Sequence, residues 1–572
     1  MNFQIFFLLF TSFYWLMSCG VDEQVDESPR SAAKSGPTYL VGLPSSTLLH
    51  LSGNTEVELS YALNPLSTLS ASSSSPHLAY LQFAADTPQA KISAFLQEAQ
   101  EAEELLFAEP NTTYELYVSA DGGAEGVFKG FNLRDQLYQQ YEAPWWIKQI
   151  KMPPLLSTLA RQESQLLLGE SLAKSSPIIA VIDSGSDISH RALMKRVFRN
   201  PLAGKAGCSN DSWGCDTTRG EGQSLGIGPA LPFLTSSFGE HCPKAVTRAQ
   251  MQRRSACLHG THVAGLIVGD PEHGVDGICP SCRIFPVKVV EEVDGQGRVT
   301  DLSFLRALQY IRNLNQLLEE KIKIVNFSFG KFQWSVAVAQ IIAQMRREGV
   351  LFIAAAGNEN VNEKVFPAAL PGVIAVTAVD KQGRKSAYAN YGSWVAIAAP
   401  GGDIENNERQ GLLSAAPGGE YYFSQGTSVA SPVVAAVAGL LLSLSPSMSS
   451  EVLRERLLSS ADRRLYDADF ALGYNERYYK YDREGRGMPL LGAGLVDVDA
   501  AWHYQPTGQA NRGEETPKRP PPSCGSLGFG PYPPAGPTAR GMALVFFLVP
   551  VLGLGLSMLL TRSVRERKRK NA

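Results

Sequence analysis

The chain has 572 residues and a formal net charge of -3. That length exceeds one hydrophobic core and predicts more than one domain. The near-zero charge gives no basis for nucleic acid as a partner, and the composition is that of a folded protein except at the two ends.

Residues 3–17 are apolar and aromatic but too short to cross a bilayer as a mature helix. They end in Leu16-Met17-Ser18-Cys19-Gly20, which predicts a signal peptide over 1–19 despite the missing Lys or Arg at its start. The Leu-x-Ser-Cys ending resembles a bacterial lipobox and makes Cys19 a candidate for lipidation, with plain secretion as the simpler alternative. Residues 20–76 are acidic and then Ser- and Pro-rich, and are expected to form a loosely ordered flank. Segment 77–130 reads as a small α+β unit. It has a strand at 78–83, a helix at 89–100 with Ile92, Phe95 and Leu96 at helical spacing, and strands at 105–107 and 114–118.

The pair Trp145-Trp146 reads as packing, and 154–172 as a Leu-rich helix. Residues 178–183 form a continuous apolar run ending in Asp183, the pattern of a fully buried parallel strand, and Gly185 stops it. Residues 200–257 are rich in Gly, Ser and Cys and are expected to be a long disulfide-tied insertion; His259 then opens a helix. Strands are predicted at 284–290, 322–329, 350–356, 372–379 and 394–399. Helices are predicted at 301–318, 335–348 and 449–460, with a helix apolar on every side over 433–444. Alternation of this kind predicts an α/β domain over 131–504 with a mostly parallel sheet between helical layers.

Residues 505–540 are a Pro/Gly-rich linker, and 541–560 are uncharged and long enough to be a transmembrane helix. The basic tail 561–572 then faces the cytoplasm and the large domain the other side. Cys524 before a spacer, an apolar helix and an Arg cluster also resembles a bacterial C-terminal sorting signal, the alternative to a permanent anchor. Six further cysteines fall into close pairs, 208–215, 242–257 and 279–282, as in exported proteins, and other pairings stay open. One Cys-x-x-Cys would need two more ligands to hold a metal.

Three polar residues carry candidate chemistry. Asp183 ends a buried strand at the edge where open α/β sheets bind ligands. His259 has small neighbours, and Ser428 begins the apolar helix, where orphan N–H groups favour developing negative charge. A serine hydroxyl needs a base within reach, imidazole supplies one near neutral pH, and a carboxylate fixes its tautomer. Asn358, after the apolar strand ending in Ala356, offers a side-chain amide to an oxyanion.

Four blocks carry a resemblance to a known family. They are Val181-Ile182-Asp183-Ser184-Gly185, the block from His259 to Gly265, Ala355-Ala356-Gly357-Asn358-Glu359, and Gly426-Thr427-Ser428-Val429-Ala430-Ser431-Pro432. Together they make residues 135–502 resemble a subtilisin-like serine endopeptidase, a subtilase. The resemblance implies a three-layer α/β fold with a seven-stranded parallel sheet and an Asp183-His259-Ser428 triad. It also implies Asn358 in the oxyanion hole and Ser328-Phe329-Gly330 as the edge that pairs with substrate backbone. The 77–118 unit is similar to the family's inhibitory propeptide, implying cleavage between about 116 and 134. It implies no cofactor; the short turn at 270–274, where many members bind calcium, leaves structural calcium unsupported. The inserted segment beside Cys257 is expected to narrow access to the cleft. The expected molecule is a monomeric, envelope-anchored enzyme acting on proteins or peptides, the alternative being a catalytically idle scaffold of the same fold. His190 and His262 are read as structural.

Overall fold

Residues 37–43, 57–61, 77–102, 105–116, 128–129, 144–152, 176–208, 211–218, 248–293, 296–405, 407–469, 474–481 and 487–505 are described by a computed structural model. All lie in one compact unit, Met1–Ala510. The expected signal peptide with Cys19, the expected linker, the candidate transmembrane segment 541–560 and the basic tail fall outside the described residues, as do 154–172 and most of 117–134.

The N-terminal elements form a sheet of their own. β1 (Thr38–Leu43), β2 (Val57–Tyr61), β3 (His77–Phe83) and, after helix α1 (Gln89–Glu101), β4 (Phe107–Pro110) pair antiparallel in the order β2-β3-β1-β4. Helix α1 buries Ile92, Leu96 and Ala99, one stripe at helical spacing, against Val41, Leu43, Leu81 and Phe83. This corrects the expectation that 20–76 is only a flank. β1 lies between β3 and β4, so its apolar residues find partners far along the chain, and the Ser/Pro-rich stretches around it obscured the strand. β5 (Thr113–Leu116) leaves this sheet altogether.

Next come β6 (Phe128–Lys129), α2 (Trp145–Gln149), β7 (Ile178–Asp183), β8 (Cys215–Asp216), α3 (Arg248–Val268), β9 (Arg283–Lys288), β10 (Val290–Val293), β11 (Gln296–Thr300) and α4 (Asp301–Leu317). They are followed by β12 (Ile322–Phe327), β13 (Phe329–Gly330), α5 (Val336–Arg347), β14 (Leu351–Ala355), β15 (Ile374–Val379), β16 (Ile397–Pro400), β17 (Leu412–Ala416), β18 (Glu420–Ser424), α6 (Thr427–Leu444), α7 (Ser450–Ser459) and α8 (Val498–His503). Seven of the strands form a sheet in the order β16-β15-β14-β12-β7-β9-β8, parallel at every pairing. This is the three-layer α/β arrangement with a seven-stranded sheet.

Strand alternation divides the core. Ile179 and Val181 of β7 point to a layer that includes α3 and α6, while Ile178, Ala180 and Ile182 point to α4 and α5. Both faces of the sheet are therefore covered, which is why the strands read as unbroken apolar runs. After β7 the chain builds β8 and β9 on one side of it and β12, β14, β15 and β16 on the other. The carboxyl ends of β7 and β12 thus flank a topological switch point, where such sheets open a crevice. Helix α6 is apolar and long enough to cross a membrane by composition, yet it is buried in this core. Trp146 lies in the same core and Trp145 Nε1 donates to Gly411 O at 3.2 Å, so the pair does pack.

Helix α3 corrects another expectation. It begins at Arg248, and His259 sits in its middle rather than at its start. Residues 248–258 contain neither Gly nor Pro, so nothing in that stretch stops the helix from extending backwards into the Cys-rich insertion. Disulfides join Cys208 to Cys215 and Cys279 to Cys282. Cys257 is also disulfide-bonded, and its expected partner Cys242 lies outside the described residues.

The end of β4 and the turn after it tie the N-terminal unit to two helix starts of the larger one. Glu109 accepts from Ser335 Oγ (2.6 Å), Val336 N (2.7 Å) and Ala337 N (3.1 Å) at the start of α5. Asn111 Oδ1 accepts from Leu302 N (3.0 Å) in the first turn of α4. A carboxylate here satisfies orphan donors and complements the helix dipole.

Burial raises the Glu109 carboxyl above its ordinary range, opposed by the bonds from Ser335, Val336 and Ala337. A carboxyl raised in the docked state favours docking below its ordinary pKa, and that contribution is lost as pH rises through the raised value. We expect the protection of the N-terminal unit against an added protease to fall as pH rises above the ordinary carboxylate range and through the raised value. Glu109→Gln should remove that dependence, and an unchanged pH profile in the variant would exclude Glu109 as its source.

Candidate active site

β7 delivers Asp183 to the carboxyl edge of the sheet, fully buried. His259 reaches it from α3 because residue 260 is glycine. A Cβ at Gly260 would lie 2.1 Å from Gly185 O and 3.2 Å from Asp183 Oδ1. Any other residue would push the helix away from the loop after β7. Gly260 N donates to Ser184 Oγ (3.0 Å) and Ser186 Oγ donates to Gly260 O (3.1 Å), fastening helix to loop. His259 Nδ1 then lies 2.8 Å from Asp183 Oδ1, which also accepts from Ser184 N at 2.7 Å. With Nδ1–H donated to the carboxylate, Nε2 is the acceptor nitrogen. That Nε2 is buried and has no hydrogen-bond partner among the described residues.

Ser428 is the second residue of α6. The preceding N-cap, Gly426, has φ 145° and ψ 161°, a backbone conformation natural only to glycine. A Cβ there would stand 2.9 Å from Ser428 Oγ and 3.3 Å from Asn358 Nδ2, so the hydroxyl and the amide nitrogen flank one small space. The amide is held in that orientation from behind. Asn358 Oδ1 accepts from Thr427 N and from Thr427 Oγ1, both at 2.9 Å, and Thr427 Oγ1 accepts from Gly357 N at 2.9 Å. Asn390 braces the loop that carries Asn358, with Oδ1 accepting from Glu359 N (3.1 Å) and Val361 N (3.0 Å).

Pro432 lies inside α6, one turn after Ser428. It has no N–H for Ser428 O, the bond an uninterrupted helix would make. Ser328 fills the gap: its hydroxyl donates to Ser428 O at 3.1 Å and contacts Ser431 Oγ at 3.1 Å. The end of β12 is thereby joined to the first turn of α6. Farther along, α3 and α6 pack together, with Val263 and Ala264 in one cluster with Val429 and Ala430. His259 stands one turn before Val263, and Ser428 directly before Val429.

Beyond Ser328, Phe329 and Gly330 pair antiparallel with Leu116 and Glu115, while Val299 and Thr300 of β11 pair with Tyr114 and Thr113. The crevice edge therefore holds an extended strand between two others, and that strand is β5 of the N-terminal unit. His262 and His190 are tied to backbone carbonyls, Leu412 O at 3.0 Å and Glu420 O at 3.1 Å. Burial pushes His262 down to about 3 and lowers His190, which keeps both neutral near pH 7. In the turn at 270–274, Asp270 accepts from Glu272 N (3.0 Å) and lies 3.0 Å from His273 Nδ1 and 3.5 Å from Lys195 Nζ.

The model of the subtilase family matches residues 174–480. The chain belongs to the subtilase family. It is 32% identical over 323 residues to a subtilisin from Bacillus pumilus, covering 56% of this chain and 91% of that one. It is 28% identical over 374 residues to subtilisin NAT from Bacillus subtilis subsp. natto, covering 64% of this chain and 74% of that one. Against a thermostable alkaline protease from Halalkalibacterium halodurans the identity is 31% over 204 residues, 36% of this chain and about half, 52%, of that protein's length. As a subtilase, the protein is a serine-type endopeptidase.

Within this subtilase, Asp183 and His259 are in contact, and Asn358 and Ser428 face one space. Phe329 and Gly330 offer their backbone to a guest strand, whereas Ser328 turns its hydroxyl inward. The sequence assigns no role to Thr427 and Asn390, which hold Asn358 and its loop in place, because their partners are remote. Gly426→Ala should place a methyl group in the space between Ser428 and Asn358 and strain the backbone by about 1–3 kcal/mol. Peptidase assays and thermal unfolding should show kcat lost by more than about a hundredfold beside that modest destabilisation. Activity near wild type would show that the space is not used.

Proposed function

We propose that this subtilase cuts peptide bonds with Ser428 as nucleophile, His259 as general base, Asp183 as the carboxylate that orients the imidazole, and Asn358 as an oxyanion donor. The observation that carries the reading is the 2.8 Å contact from Asp183 to His259 Nδ1, which leaves a buried Nε2 able to take a proton. Ser428 Oγ adds to the substrate carbonyl carbon while its proton passes to His259 Nε2. Asn358 Nδ2 and the N–H groups at the start of α6 stabilise the negative oxygen. Collapse of the adduct breaks the C–N bond, with the proton going from His259 to the departing amine. Water then cleaves the acyl-enzyme by the same steps in reverse. The side chains supply nucleophile, base and donor, so the reaction calls for no cofactor.

The N-terminal unit is the inhibitor of this site in our reading. Its β5 fills the edge where a substrate strand would pair, and Glu109 and Asn111 anchor it on two helix starts. Activation then requires a cut after β5, within about 116–134. The leader sequence, Cys19 and the apolar segment 541–560 support an exported, membrane-anchored enzyme whose peptidase domain acts on proteins or peptides outside the cytoplasm. We assign it as a monomer.

A fluorophosphonate probe should label the processed protein and fail to label Ser428→Ala; absence of label on processed wild type would favour an idle scaffold. Asn358→Leu should lower kcat by about a hundredfold to a thousandfold with KM little changed. An N-terminal unit that remains intact and bound on fully active enzyme would remove the inhibitory role.

A further inference from the structure

The residue that β5 buries most deeply is Tyr114, 1% exposed. Its ring meets Phe304 and Phe329 edge-on, with centroids 5.5 and 5.6 Å apart. Lys331 Nζ lies 4.2 Å from the ring centre. At the closed end of this pocket the Tyr114 hydroxyl donates to Asp301 Oδ1 at 2.6 Å. Asp301 and Lys331 form an ion pair, with Nζ 2.6 Å from Oδ2 and side chains only 2% and 4% exposed. Thr112, also from the N-terminal unit, donates its N–H (2.9 Å) and hydroxyl (2.7 Å) to Asp301 Oδ2.

These groups have different owners. Tyr114 belongs to the guest strand and Thr112 to the turn before it, while Phe304, Phe329, Asp301 and Lys331 belong to the host. An aromatic wall alone would accept phenylalanine as readily as tyrosine. A buried carboxylate at the end of that wall does not, because a ring without a hydroxyl leaves Asp301 Oδ1 short of one donor where water is excluded. Sites that hydrogen-bond a substrate hydroxyl discriminate strongly against the analogue lacking it. Lys331 remains as a partner for Asp301 in either case, which limits the effect.

Resting on the peptidase reading above, we propose that Asp301, held by Lys331, makes this a tyrosine-reading pocket. The extended peptides the enzyme prefers carry tyrosine where Tyr114 now sits, two residues before the position of Leu116. Its charge also excludes a phosphorylated or acidic side chain at that place, since an added anion would face the Asp301 carboxylate at close range. Asp301 is thus a specificity determinant, and it takes no part in bond breaking.

Fluorogenic peptides based on residues 109–120, with Tyr, Phe or phosphotyrosine at position 114, test this on the processed enzyme. Tyrosine should exceed phenylalanine in kcat/KM by about tenfold to a hundredfold, and phosphotyrosine should not be cut. Equal rates for tyrosine and phenylalanine would overturn the proposal. A second readout needs no catalysis. In the full-length Ser428→Ala chain, adding Tyr114→Phe should speed amide hydrogen exchange at 296–300 and 329–330 by about tenfold or more. Unchanged exchange there would also overturn the proposal. If no peptide is cut but exchange quickens, the tyrosine pocket stands and the peptidase reading fails.

Discussion

A carboxylate withdrawn from water must find donors, and for Asp183 these are the N–H of Ser184 beside it and an imidazole from another layer of the fold. Asp183 ends the strand next to the switch point of the sheet, where its side chain is fully buried. An unpaired charge there would cost several kcal/mol (~). The contact with His259 exists only because α3 can approach the loop after β7 to glycine-to-glycine distance. The packing of α3 against the sheet and α6, and the orientation of the imidazole, follow from that approach.

The other half of the site is built by local defects in helix α6 that distant residues repair. A proline deletes a backbone donor one turn after Ser428, and the hydroxyl of Ser328 replaces it. A glycine with positive φ opens the helix, and Thr427 beside it binds the carbonyl end of Asn358. Each irregularity exposes a polar group of the helix start, and each is compensated by a residue from the end of a neighbouring strand. Rigidity at this point comes from the sheet edge, since the helix alone would fray there.

The N-terminal unit is joined to the rest by the backbone of β5 and by the side chains of Glu109, Asn111, Thr112 and Tyr114. Its last strand lies between β11 and β13 and satisfies donors and acceptors on both. Main-chain pairing is indifferent to side chains, so selectivity has to come from the pockets between strands. Tyr114 fills one such pocket, and the same contacts that hold this unit in place therefore describe what else the edge can hold.

Elements whose character is set by near neighbours were readable from the chain alone. The apolar run ending at Asp183, the amphipathic helix after Thr300 and the buried helix after Ser428 show their type in their own periodicity, and the blocks around Asp183, His259, Asn358 and Ser428 suffice to mark the fold class. What the chain alone left hidden depends on pairing across long separations. β1 reads as part of a polar flank until β3 and β4 cover it, and the backward extension of α3 lies at the end of a Gly-, Ser- and Cys-rich segment that looks like loop. The acid–lysine pair at 301 and 331 carries no local signature either; it became a pocket floor only when β5 folded over it. Periodicity is a property of a few consecutive residues, whereas burial of a charge or a hydroxyl is decided by whatever the rest of the chain brings against it.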